Sequence, residues 1–174
     1  MSKRKISTKT INLILMACSA LFTVLSLVGL ALNFITVYTK NDFLKVDNQE
    51  SWNVSTWFDS IDGLTKGEMN GIGNWQFARV MLIVAAVVLV LMLVMTVLAY
   101  FVKHPAVKWT TVGIGMSVVV CLVIFMVVTL MGCGALSGTI LGTQITYSAS
   151  VGTFMFGICG IIAAILTEST VLRK

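Results

Sequence analysis

Charge is what this chain has least of. Only 11% of its 174 residues are Asp, Glu, Lys or Arg, against about 25% in a soluble domain. A water-facing surface cannot be built from so few. With 57% hydrophobic residues and a mean hydropathy of +0.97, the expected solvent is lipid. Proline occurs once, as Pro105, between two apolar runs, where it interrupts no helix. Histidine occurs once, as His104, and no acid lies in the middle of an apolar run. A nucleophile–base pair therefore cannot be assembled within a membrane, so no enzymatic activity and no cofactor is expected. Proton relays and charge-coupled transporters keep ionisable groups at mid-membrane, and none is expected here. Cys18, Cys121, Cys133 and Cys159 all lie outside the long polar segment and form no C-x-x-C pair. Neither an external disulfide framework nor a metal site is expected.

What the chain does have is four apolar runs, at about 11–38, 77–102, 109–131 and 147–167. Each reaches the roughly 20 residues that a helix needs to cross a bilayer. The start, MSKRKISTKT, has the basic character of a signal peptide. The apolar stretch after it, about 28 residues, is too long for a signal-peptide core, and it is expected to remain as the first helix. The expected fold class is an all-α integral membrane protein. It is one domain over 1–174, a four-transmembrane-helix bundle with a larger first extracytoplasmic loop at about 39–76.

Orientation is read from the cations. Eight of the twelve, Lys3, Arg4, Lys5, Lys9, Lys103, Lys108, Arg173 and Lys174, fall at the end that holds both termini. Lys40, Lys45, Lys66 and Arg79 fall at the other end, with six of the seven acids. The positive-inside rule then predicts a multi-pass protein of the cell membrane with N and C termini cytoplasmic. These cations are scattered at membrane borders, so no nucleic-acid partner is expected.

The long polar loop carries three of the four tryptophans. Within it, Val54, Trp57, Phe58, Ile61 and Leu64 recur at helical spacing, with Asn53, Ser55, Thr56, Asp59, Ser60 and Asp62 between them. An amphipathic helix over 54–64 is predicted, although a shorter window through Trp52, Val54 and Phe58 also fits a strand. Such a helix either lies in the membrane interface or presents aromatic anchors to a partner. The expected partner- or lipid-contact residues are Trp52, Trp57, Phe58, Ile61, Leu64 and Trp75. Trp75, Phe77 and Arg79 are expected to anchor the mouth of the second helix. Asn53-Val54-Ser55 also fits a glycosylation sequon.

Two helices carry small or polar stripes. In the first, Ser19, Thr23, Ser26 and Asn33 share a face; in the fourth, Gly152 and Gly160 share one, with Gly157 beside it. Small residues let helix backbones approach, and hydroxyls and amides bond across them. These seven are the expected helix-packing residues. The uncharged segment GALSGTILGTQITYS is either a plain outer turn or a re-entrant loop that could line water.

Both ends inside, a larger first outer loop and a small second one make the order of elements similar to that of claudin-like tetraspan proteins. Trp57 and the later Gly63-Leu64 echo part of their W-GLW-C-C signature. Thr65 stands where the next tryptophan would be, and the two cysteines are absent. The resemblance implies a sheet in the first outer loop. Together these readings predict a non-catalytic assembly, scaffold or accessory subunit. Its expected partners are membrane lipid and another membrane protein or itself as a homo-oligomer. The alternative is a small oligomeric pore or transport subunit lined by neutral polar residues.

Overall fold

The structure, a computed structural model, describes residues 7–41, 43–66, 72–102, 104–140 and 142–173, with residues 65 and 66 through their backbone alone. Lys3, Arg4, Lys5, Asp42, Glu68, Lys103 and Lys174, which contribute to the expected orientation, lie outside the described residues.

Among the described residues, four helices are long and apolar enough to cross a membrane: α1 (Thr8–Gly29), α3 (Ile72–Phe101), α4 (Pro105–Leu136) and α5 (Val151–Leu172). A shorter helix, α2 (Val54–Lys66), precedes α3. The chain is a multi-pass helical membrane protein. Local chemistry sets the helix starts. The Ser7 side chain accepts from the Lys9 backbone N–H at 3.3 Å. Pro105 stands in the first turn of α4, where its missing N–H is no loss, and His104 Nδ1 accepts from the Ala106 N–H at 3.2 Å.

The bundle is not all-α. Four strands, β1 (Ile35–Asn41), β2 (Val46–Trp52), β3 (Gly138–Ile140) and β4 (Thr143–Ala149), form one antiparallel sheet in the order β2-β1-β4-β3. The first apolar run was expected to stay helical to residue 38, and the fourth to begin at 147. Instead, Ile35-Thr36-Val37-Tyr38 leave α1 and enter β1, and Tyr147-Ser148-Ala149 belong to β4. Hydropathy alone cannot separate these cases, because β-branched and aromatic residues serve a half-buried strand as well as a membrane helix. Residues 133–146 are neither a plain turn nor a re-entrant loop. α4 runs on to Leu136, and a β3–β4 hairpin follows. The α1–α3 and α4–α5 connections are joined by β1 and β4, with Ile35 opposite Ala149 and Asn41 opposite Thr143.

α3 and α4, at 30 and 32 residues, are about 45 and 48 Å long at 1.5 Å per residue. A hydrocarbon core is about 30 Å thick. Their surplus stands beside the sheet. Phe125 of α4 meets Phe156 near the start of α5, centroids 5.6 Å apart, and α4 continues for about three more turns beyond it. Between α3 and α4 the contact is a narrow seam. Trp75, Ala78, Leu82, Ala85, Leu89, Met92, Thr96 and Ala99 are the buried residues of α3. They alternate at three and four, as in a coiled-coil seam, and the bulky flanks Val80, Ile83, Val87, Leu91 and Val94 are left to lipid.

The α1–α5 contact uses backbone instead. A Cβ added at Gly29 would sit 2.7 Å from the Phe156 backbone nitrogen, and one added at Gly152 would sit 2.6 Å from the Gly29 carbonyl oxygen. Ser26 Oγ donates to the Phe156 carbonyl at 2.6 Å, and Ser19 Oγ donates to that of Ala163 at 3.0 Å. The Ser19 and Thr167 hydroxyls are 2.7 Å apart. Thr23 is buried in the same seam and bonds back to the Ser19 carbonyl at 2.9 Å. Asn33 lends only its backbone carbonyl, to the Gly152 N–H at 2.8 Å. Gly157 makes room for Met126, and Gly160 for Leu122 and Leu89.

Ending the last span at 167 left Glu168 outside it. α5 extends to Leu172, and the Glu168 carboxyl reaches Gly115 of α4 with Oε1 buried and unpartnered.

Candidate functional site

The sheet and α2 form a head on the bundle end opposite the termini. Asn53 starts α2: its Oδ1 accepts from the Thr56 N–H at 2.9 Å and from the Thr56 hydroxyl at 3.1 Å. This is the bond expected of an N-cap asparagine. The helix predicted over 54–64 is present with its apolar face as spaced, but that face is turned inward. Trp57 is 0% exposed and Ile61 1%. Val54, Phe58 and Leu64 are half-buried against the same core.

Aromatic rings fill the junction between head and bundle. Trp57 meets Phe34 at 5.4 Å and Trp75 at 6.1 Å. Trp75 meets Trp52 at 6.3 Å and Tyr147 at 5.2 Å, both edge-on. Phe34 continues to Phe125 at 5.9 Å. Edge-to-face pairs of this kind add about 0.5–1.5 kcal/mol each beyond the area they bury. Trp75 has its place because Gly132 lacks a side chain; a Cβ there would run into the indole. The Trp57 and Trp75 indole nitrogens are buried without a hydrogen-bond partner. The Cys133 thiol lies beside Trp75. Burial raises the Tyr147 phenol above its ordinary pKa of 10.0.

The six expected contact residues therefore divide. Trp57, Ile61 and Trp75 are internal and out of reach of a partner. Trp52, Phe58 and Leu64 are half-buried at the margin. The cause is geometric: the open end of the bundle needs an apolar cover, and α2 supplies it. Phe77 is half exposed on α3. Arg79, expected at the membrane mouth, instead ties α3 to α2. It meets Asp62 at 2.7 Å, and its guanidinium lies 4.7 Å from the Phe58 ring centroid.

The head's exposed apolar residues are elsewhere. In the β1–β2 hairpin, Asn41 pairs with Val46, and Phe43 and Leu44 at the tip are 92% and 66% exposed. The turn is held from within. The Leu44 N–H donates to Asn41 Oδ1 at 2.9 Å, and Asn41 Nδ2 donates to Thr143 Oγ1 at 2.7 Å. Lys45 adopts φ +51. Strand β2 is exposed up to the half-buried Trp52, with Asp47, Asn48, Gln49 and Glu50 on the edge of the sheet, where charge discourages further strand pairing. The sequence signal for the tip was the Phe43-Leu44 pair inside an otherwise polar stretch. No protein-family model matches the chain, and no match to a curated protein is found.

Proposed function

We propose that the protein is a non-catalytic assembly or accessory subunit of the cell membrane, with cytoplasmic termini and the head outside. The charge asymmetry supports the orientation. One observation carries the assembly reading: the head holds Phe43 and Leu44 exposed on a braced hairpin tip. Exposed apolar groups on a rigid support are what a protein contact uses as an anchor. The partner class is another membrane protein with an apolar recess on its outer face. The half-buried Trp52 and Phe58 are supports of the head rather than the anchor. The oligomeric pore has less behind it, because Ser19 and Ser26 of α1 are engaged with α5.

A photo-crosslinking residue in place of Phe43, in native membranes, tests this. The expected result is one discrete adduct that disappears when Leu44 is changed to Ser. A tip that yields no adduct, or only lipid adducts, removes the reading.

A further inference from the structure

At the end of the bundle away from the head, α1, α3, α4 and α5 leave a cavity of about 560 Å³. Its size is that of a small-ligand site, about 300–1,000 Å³. Three cations border it: Lys9 on α1, Lys108 on α4 and Arg173 after α5. No acid does, among the described residues. Glu168, the described acid nearest in sequence, turns to Gly115 instead. All other described acids belong to the head end of the chain. His104 also borders the cavity, with Nδ1 already engaged by the Ala106 N–H.

Asn12 supplies an independent observation. Asn12 borders the cavity and is only 5% exposed, and its buried Oδ1 has no partner among the described residues. An amide oxygen this deep without a bond costs stability. Ala99, Val102 and Val171 form the apolar part of a wall that also holds Thr96 and Thr170.

We infer that this cavity binds the headgroup of an anionic phospholipid whose phosphate carries a hydroxylated substituent, as in phosphatidylglycerol. The phosphate takes the ammonium groups of Lys9 and Lys108 and the Arg173 guanidinium. A headgroup hydroxyl donates to Asn12. The glycerol backbone and upper acyl chains follow the apolar wall into the surrounding leaflet. Position favours a lipid over a free anion: the cations stand at helix ends, where headgroup phosphates lie. The site is independent of the hairpin tip and of which leaflet surrounds it.

The test uses the full chain in detergent. It is titrated with phosphatidylglycerol or phosphatidylcholine of matched acyl chains, and bound lipid is counted by native mass spectrometry. Phosphatidylglycerol is expected to be held at least tenfold more tightly. Lys9→Gln, Lys108→Gln and Arg173→Gln combined should abolish that preference. Lys45→Gln, a cation of the head, should leave it unchanged. Should the triple variant not fold, Lys108→Gln alone should weaken phosphatidylglycerol severalfold, and Asn12→Asp, which puts a carboxylate in the cavity, should do the same. Equal retention of both lipids, or a preference unmoved by Lys108→Gln and Asn12→Asp, overturns the assignment. Displacement of the lipid by millimolar inorganic phosphate also overturns it, in favour of a free-anion site.

Discussion

Trp75 stands edge-on to Trp57, ring centroids 6.1 Å apart at 80°, and both indoles are 0% exposed. One ring belongs to a bundle helix and the other to the head, so this pair couples folding of the head to that of the membrane domain. Trp57→Ala should cost about 3–5 kcal/mol, the range for emptying a buried tryptophan site. Phe58→Ala, at a half-buried position, should cost less. Thermal melts in detergent followed by tryptophan fluorescence measure both. Equal, small shifts would mean that the head is not built on this ring.

Gly132→Ala tests the same junction from the bundle side. The new methyl group collides with the Trp75 indole, and overpacking of this kind costs about 1–3 kcal/mol. Gly134→Ala is the control, because a Cβ there meets nothing within 4 Å. The melt of the first variant should fall and that of the second should not.

Backbone contact between α1 and α5 makes a third case. Gly29→Ala and Gly152→Ala each insert a methyl group against backbone atoms, at 2.7 and 2.6 Å, which cannot rotate away. Each should lower resistance to unfolding in SDS. Because both separate the same helix pair, the double variant should lose less than the sum of the two. Simple additivity would show that the two contacts are independent.

What was legible in the sequence follows from the range of each interaction. Spans are set by local hydropathy, and the α2 face by spacing within a few residues, so both could be read. A sheet in the first loop was implied only by the claudin-like order of elements, and its joining to β4 could not be read, because Ile35 pairs with Ala149 across most of the chain and nothing near either residue announces the other. Composition also cannot tell a tryptophan that anchors a partner from one that seals its own bundle; Trp57 and Trp75 look alike until the Gly132 gap is seen. The fourth apolar run ends at 167 because Glu168 interrupts it, whereas α5 runs on to Leu172.

Arg79 and Asp62 should contribute little despite their 2.7 Å contact. Their side chains are 34% and 63% exposed, and solvent screening leaves such pairs about 0–1 kcal/mol. Asp62→Asn should shift the melt slightly, and less still in high salt. Arg79→Ala should cost more, since it also removes the cation over the Phe58 ring.

Tyr147 gives the head a dependence on alkaline pH. Its pKa is raised in the folded state by burial, so the neutral phenol is the form the fold prefers. The resulting stabilisation is complete below the ordinary value of 10.0 and is lost as pH rises through the higher folded value. Tyr147→Phe should flatten the decline above pH 10 and change little near neutrality. An unchanged alkaline profile would place the sensitive group elsewhere.

Orientation rests on charge counting and can be examined without disturbing the fold. In a variant with the four native cysteines replaced, Asp59→Cys on the outer side of α2 and Ala106→Cys at the start of α4 are both exposed positions. They lie at opposite ends of the bundle. With cytoplasmic termini, a membrane-impermeant maleimide added to intact cells should label Cys at 59 at once, and Cys at 106 only after permeabilisation. The reverse pattern would invert the protein in the membrane and withdraw the hairpin tip from any external partner. The phospholipid cavity would survive that result, because its cations would then face the opposite leaflet with their geometry unchanged.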